Sequence, residues 1–252
     1  MAPISVQLYT LREASAQDFD LVLSTIAKIG YKGVEPFNLF GKSPRDFRRQ
    51  VEDLGMQVSS THFPWVNRSD NVAQVVEVIQ ELGLNRAPGG YGPNDFADAE
   101  ALKKTIDATQ QWGDALKAHG VDFFLHNHFW EFNEIDGEIG YHTLQDQVAD
   151  VQFEIDTYWA TNFGQCDPAA EIGRVRDRAP LAHIKDGPLI KDKPHVAVGD
   201  GAMNIPAIFD AVDPQVFEWA VVELDACDTD MMSAVAKSYQ YLTANNLAEG
   251  NL

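Results

Sequence analysis

Short apolar runs alternate with longer amphipathic stretches from one end of the chain to the other. Residues 4–9 alternate apolar and polar positions with period two and predict a first strand. Residues 16–29 carry helical spacing and stop at Gly30, and Val34-Glu35 follows as a short second strand. Ser43-Pro44 has the form of an N-cap followed by a first-turn proline, so a second helix opens there and closes at Gly55. Residues 56–61 predict a third strand ending at His62, residues 69–82 a third helix, and 84–87 a brief fourth strand before the turn-rich segment 88–94. The fourth helix, 95–119, is the longest. Gly120 then releases the chain into an apolar fifth strand that ends abruptly in His126-Asn127-His128, with Glu131 just beyond. Asp136-Gly137 predicts a small hairpin, and a fifth helix begins near residue 141. Residues 151–156 predict strand six, Asp167-Pro168 opens helix six, and 181–185 predict strand seven. A long polar segment, 186–204, holds Gly199-Asp200-Gly201 before a short helix from Ile205. Strand eight at 219–224 and a last helix at 229–245 complete the pattern, with a loose tail expected after it.

Eight strand–helix units in 252 residues point to the α/β class and to a (β/α)8 TIM barrel, whose usual length is about 250 residues. A doubly wound open sheet is the rival, but no G-x-G-x-x-G fingerprint follows the first strand. With no repeat, low-complexity stretch or linker, residues 1–252 read as one TIM-barrel domain. The first residues lack a basic, signal-type start and read directly as strand, and no apolar run is long enough to span a membrane. Two cysteines, Cys166 and Cys227, imply no disulfide framework, so a reducing cytoplasm is the expected location. Charge narrows the partners. With 38 acidic against 19 basic residues and a net charge of −19, neither nucleic acid nor an anionic membrane surface is expected to bind.

In such a barrel the reacting groups lie at the C-terminal ends of the strands. Those ends carry Glu35, His62, His126 with His128 and Glu131, Asp156, His183 with Lys185, and Glu223. Ring closure brings them to one mouth. Imidazoles and carboxylates at the edge of a core need a partner, either a divalent metal or a substrate hydroxyl. Asp156, His183 and Glu223 form a mixed oxygen and nitrogen set that suits manganese, magnesium, cobalt or zinc, and the lack of cysteine disfavours a structural zinc site. Taken singly, each has a plain alternative: Asp156 capping a turn, His183 a satisfied core histidine, Glu223 a partner for Lys185.

Leu125-His126-Asn127-His128 with Glu131-Phe132, Ile155-Asp156-Thr157, His183-Ile184-Lys185-Asp186, Val198-Gly199-Asp200-Gly201 and Val222-Glu223-Leu224-Asp225 occur in this order. Together they resemble the sugar phosphate isomerase/epimerase superfamily, the xylose-isomerase-like barrels, over nearly the whole chain. Glu35 after Gly33-Val34 and His62 after Ser60-Thr61 add to the likeness. The resemblance implies a divalent metal, often manganese, bound by Glu, Asp, His and Glu, of which the last three match Asp156, His183 and Glu223. Many relatives carry Glu in strand five where this chain has His126. The missing ligand is therefore expected at Glu131, with His126 and Glu134 as alternatives. Trp159 stands where sugar epimerases place a substrate-contacting His, and the arginine they present after strand seven has no counterpart. The His-x-His arrangement is similar instead to the dehydratase and keto-glycoside lyase branches.

The chemistry these branches share is proton removal beside a carbonyl, with a metal stabilising the enediolate. His126, His128 or Glu223 is the expected base, and Lys185 the group that steadies an oxyanion or a hydroxyl. Glu35, His62 and Trp159 are expected to contact substrate. Proton return or loss of a β-oxygen would give epimerisation, isomerisation or elimination, and the sequence leaves these open. Phe63, Trp65, Tyr91, Phe129, Trp130, Tyr158 and Trp159 crowd the strand-end loops, as faces for a sugar ring or as loop anchors. No Gly-rich phosphate cradle is present, so a neutral sugar, keto-sugar or glycoside is expected. Two rivals remain: a sugar-binding or partner subunit that kept the barrel, and a metal-dependent phosphodiesterase, which the acidic charge opposes. Homo- or hetero-oligomers are both compatible with the sequence.

Overall fold

The computed structural model describes residues 1–69 and 71–251. Its eight barrel strands are β1 (Ile4–Gln7), β2 (Gly33–Glu35), β3 (Gln57–Val58), β4 (Arg86–Gly89), β5 (Asp122–His126), β6 (Val151–Asp156), β7 (Leu181–Ile184) and β8 (Trp219–Val222). All pair in parallel, in the order β3-β2-β1-β8-β7-β6-β5-β4. First and last strands therefore meet, Ile4 opposite Ala220 and Val6 opposite Val222, which curls the sheet into the (β/α)8 barrel. The ladder is not continuous around the ring. Among the described residues no backbone pair joins β3 to β4, because β3 pairs over two residues only and Pro88 of β4 has no N–H to donate.

Alternation along the strands decides what reaches the barrel interior. In β6, Phe153 packs on Tyr141 of helix Gly140–Gln147, ring centroids 5.8 Å apart, whereas Glu154 and Asp156 point the other way, into the barrel. Below the mouth the ring of Trp219 lies against Gly33, where a Cβ would sit 2.7 Å from it. Ser5 and Ser59 share a buried hydrogen bond of 2.7 Å at the same depth.

Several boundaries differ from the sequence pattern for local reasons. The first helix is two, Arg12–Gln17 and Phe19–Ile29, because Asp18 turns extended and caps the second by accepting from Leu21 N–H. The long fourth helix is Ala99–Lys117, capped by Asp98, with Pro93–Phe96 a separate 3-10 turn. The fourth strand runs two residues further than expected. Helix Val72–Glu81 starts from the Asn71 cap, and Asp70, inside the expected 69–82 helix, lies outside the described residues. The last helix is Met231–Ala244, capped by Asp230. The tail is not loose: Glu249 accepts from Ile4 N–H and donates to Ala2 C=O, and Ala248 is buried. The Asp136-Gly137 hairpin forms as expected, pairing Glu134–Ile135 with Glu138–Ile139. Among the described residues no helix is long and apolar enough to cross a membrane.

The segment after β7 is held by one carboxylate. Asp186, 1 % exposed, accepts from the N–H groups of Gly187, Gly199, Gly201 and Met203 at 2.8–3.1 Å. A Cβ on Gly201 would stand 2.1 Å from Asp186 Oδ1, so close approach to the carboxylate explains that glycine, whereas Gly199 has a φ of +97° and a Cβ there would stand 2.2 Å from the Tyr241 ring. Asp186→Ala leaves these donors unsatisfied and is expected to lower the unfolding free energy by about 3 kcal/mol. Urea titration checks this, and a loss below about 1 kcal/mol contradicts it.

Candidate functional site

Register brings the strand-end side chains to one place. Gln7 lies opposite Glu35, His126 opposite Glu154, and Asp156 opposite His183. Lys185 and Glu223 follow at the ends of β7 and β8. Nearly all of this set is buried; Asp156 and His183 are wholly so.

His183 is the hub. Its Nδ1 lies 2.7 Å from Glu223 Oε2 and 3.9 Å from Asp156 Oδ2. Its Nε2 lies 2.8 Å from Glu35 Oε1 and 3.4 Å from Glu154 Oε2. Burial works against a charged imidazole, but Glu154, Glu223 and Glu35 hold its pKa well above the usual range. Glu154 Oε2 is a second hub, 2.6 Å from His62 Nε2 and 3.4 Å from His126 Nδ1. Burial opposes its ionisation, yet His183 and His62 beside it hold its pKa well below the usual carboxylate range. Glu35 answers the opposite way. Burial and the Glu154 charge push it up to about 7, and Gln7 and Ser60 donate hydrogen bonds to its two oxygens. Burial keeps His126 neutral, its pKa far below the usual histidine value.

Lys185 stands on the outer side of His183. Its Nζ is 2.8 Å from Asp156 Oδ2, 2.7 Å from Glu223 Oε2 and 2.8 Å from Asp225 Oδ2. Burial opposes its charge, but these carboxylates hold its pKa well above the usual lysine value. Asp156 uses its other oxygen, Oδ1, to cap the turn Thr157–Ala160 by accepting from Tyr158 and Trp159 N–H.

Among the described residues two groups of side chains have ligand atoms within 4.8 Å of one another: Asp156, His183 and Glu223, and His62, His126, Glu154 and His183. Glu131 is in neither. Its Oε2 turns back to accept from His128 N–H at 3.0 Å, so it braces the loop instead of facing the other carboxylates. Glu134 is exposed on the hairpin. The residue absent from the sequence reading is Glu154. Its signal was available: it lies two positions before Asp156 on one strand and so shares its face. Gln7 and Ser60, which position Glu35, carried no such signal.

Above these groups a cleft of about 310 Å³ is lined by Tyr9, Phe37, Trp65, His128 and Trp159. Trp159 and Asp225 also border a second, more apolar cleft of about 490 Å³, with Phe129, Phe163 and Ile190 along its wall. Tyr91 and Tyr158 are anchors: the first hydroxyl meets Thr109 Oγ1 at 2.7 Å and the second accepts from Leu189 N–H. Trp130 stacks beneath His128, centroids 4.2 Å apart.

The model of a family described as xylose isomerase-like TIM barrel matches residues 23–243. Among solved structures, the chain is similar to a sugar phosphate isomerase/epimerase from Parabacteroides distasonis ATCC 8503, at 24 % identity over 98 % of this chain and 95 % of that one, with a TM-score of 0.79. It is similar also to a probable 3-DHS dehydratase, AsbF, from Bacillus anthracis, at 13 % identity over 96 % and 99 % of the two chains, TM-score 0.75. A D-allulose 3-epimerase from Methylomonas sp. aligns at 15 % identity over 96 % and 97 %, TM-score 0.67. At these identities the structural likeness shows the fold. Comparison with curated proteins gives no match.

One flanking histidine offers a test of the site's electrostatics. His195 is buried against Tyr158 and Trp159, and its Nδ1 accepts from Asp225 N–H at 3.1 Å, which requires that nitrogen to be unprotonated. Burial and the Lys185 charge lower its pKa from 6.5 to about 4. Between those values the unfolded chain binds the proton and the folded one does not, so stability falls as pH drops through this window, by at most about 3 kcal/mol. Urea titrations at pH 7 and pH 5 are expected to show a larger loss for wild type than for His195→Gln; equal losses contradict the assignment.

Proposed function

Because the chain belongs to the xylose isomerase-like TIM barrel family, we propose that it is a divalent-metal-dependent carbohydrate isomerase, epimerase or carbon–oxygen lyase. In this reading it removes a proton beside a carbonyl. The observation that carries the proposal is convergence. Side chains from β2, β5, β6, β7 and β8 meet around His183, and two of their buried atoms, His126 Nδ1 and Glu154 Oε1, make no hydrogen bond, while Asp156 Oδ2 meets the Lys185 ammonium at 2.8 Å. Native interiors seldom leave so many polar atoms unsatisfied in one place, and a cation's ligands are what they suit. The residues around His183 would hold the ion, and when bound it supplies Lewis acidity toward a carbonyl oxygen.

The chain's own groups do the rest. We assign the base to His128, which lines the cleft outside both ligand groups and whose ring is held by stacking on Trp130, centroids 4.2 Å apart. Lys185, with Trp159 5.3 Å away at its ring centroid, presents a fixed positive charge toward the cleft and steadies a substrate oxygen that gains charge. The smaller cleft suits one sugar ring, and the neighbouring cleft, which shares Trp159 and Asp225 with it, suits a second ring or an aglycone. Both support a neutral keto-sugar or glycoside as substrate. Free thiols at Cys166 and Cys227 are consistent with a reducing cytoplasm. One observation favours a non-catalytic binding subunit: Lys185 already neutralises the outer carboxylates without a metal.

Metal analysis of protein prepared without chelator separates these readings. Wild type is expected to carry about one equivalent of a divalent ion, with His183→Ala, which removes the side chain common to both ligand groups, depleted; metal-free wild type removes the main support for an enzyme. Because an ion must displace protons from His183 and His62, whose pKa values their carboxylates raise, affinity is expected to rise with pH. Calorimetry in buffers of different ionisation enthalpy reads the released protons. Incubating a panel of keto-sugars and glycosides in deuterated water is expected to show exchange beside the carbonyl. His128→Gln should slow that exchange about 10²–10⁴-fold; an unchanged rate would exclude His128 as the base.

A further inference from the structure

The two ligand groups lie on opposite sides of one imidazole, and a neutral histidine can ligate through one nitrogen only. We propose that the ion sits on the inner side of His183, held by His62, His126, Glu154 and His183, and that Lys185 is the permanent cation of the outer side. This rests on the reading of the centre as a metal site and says which side chains form it.

Glu154 Oε2 carries the argument. It lies 2.6 Å from His62 Nε2 and 3.4 Å from both His126 Nδ1 and His183 Nε2. Donors bound to one ion at about 2.0–2.1 Å are separated by about 2.9 Å in an octahedron and about 3.3 Å in a tetrahedron. These three spacings bracket those values, the remaining donor pairs lie within 4.8 Å of one another, and an ion on His183 Nε2 takes the place of its 2.8 Å hydrogen bond to Glu35 Oε1. All four side chains are at least nine-tenths buried, and His126 Nδ1 and Glu154 Oε1 make no hydrogen bond. With Nε2 given to the ion, the Nδ1 proton of His183 is donated to Glu223 Oε2 at 2.7 Å, an arrangement that orients a ligating histidine and raises its basicity.

The outer group offers the reverse. An ion between Asp156 and Glu223 meets the Lys185 ammonium, which is 1 % exposed and within 2.8 Å of both carboxylates. It would have to expel a buried charge of its own sign. Asp156 also keeps Oδ1 engaged in capping the turn at Tyr158 and Trp159. Strand five supplies an imidazole, His126, and the carboxylate of the inner set comes from β6 through Glu154. Three imidazoles and one carboxylate select a transition ion, such as manganese, cobalt or zinc, over magnesium.

The test uses Co²⁺ on the full chain after chelator treatment, read by visible absorption and by paramagnetically shifted exchangeable imidazole protons. Wild type is expected to show protons from three ligating histidines. Glu154→Gln and His62→Gln should each weaken Co²⁺ binding about 100-fold or more, and Asp156→Asn less than about 10-fold. Circular dichroism of each variant confirms that it folds. A single shifted imidazole in wild type overturns the proposal, as does strong loss in Asp156→Asn with Glu154→Gln unaffected. Tighter binding by more than about 10-fold in Lys185→Met overturns it too, since that places the ion where the ammonium stands. In all three results the centre still binds a metal and the proposed function stands; wild type that binds no Co²⁺, Mn²⁺ or Zn²⁺ ends both.

Discussion

The upper barrel depends on balancing charge where water cannot. Four carboxylates, Glu35, Glu154, Asp156 and Glu223, approach the His183 ring within 4 Å. Each would cost several kcal/mol to bury alone. They are tolerable together because His62, His183 and Lys185 supply positive charge among them, and because Glu35 gives up its own charge most readily, with its pKa at about 7. Removing any one of these groups leaves another uncompensated. The site is thus a coupled set in which no member has an independent protonation state.

That set is rigid because backbone elements, more than the loops, define it. Register in the parallel ladder aligns His126 with Glu154 and Asp156 with His183, and the meeting of β1 with β8 brings Gln7 and Glu35 round to the same rim. Around it, single polar groups pin the connections. Asp186 gathers four N–H groups, Thr10 Oγ1 accepts from Leu224 N–H, and Arg12 donates to Asp225 C=O. Glu249 locks the tail onto β1, so the seam between chain ends is as ordered as the rest of the wall. Among the described residues the ladder is open between β3 and β4, and the segment after β3 supplies His62 and Trp65 to the cleft.

The family and fold are settled by the match to the xylose isomerase-like barrels and by the strand order, while which sugar and which fate of the abstracted proton are the substance of the proposal. The aromatic loops show why strand-end composition alone misleads. Tyr91 and Trp130 have the same sequence signature as Trp65 and Trp159, yet the first pair anchors loops and the second lines the cleft. Both pairs bury a large apolar face with a polar tip, and nothing local says which face will meet solvent.

By itself the sequence determined the alternation of strands and helices, the strand ends at which polar side chains gather, and the inward direction of Asp156, His183 and Glu223. These follow from period-two alternation and from caps such as Ser43 and Asp167, which act over a few residues. Only the tertiary structure decided that Glu154 joins the centre, that Glu131 turns away to His128, and that Lys185 occupies the outer carboxylates. Those outcomes depend on distances of a few ångströms between strands far apart in the chain. Such distances are set by ladder register and barrel curvature, which no local pattern encodes.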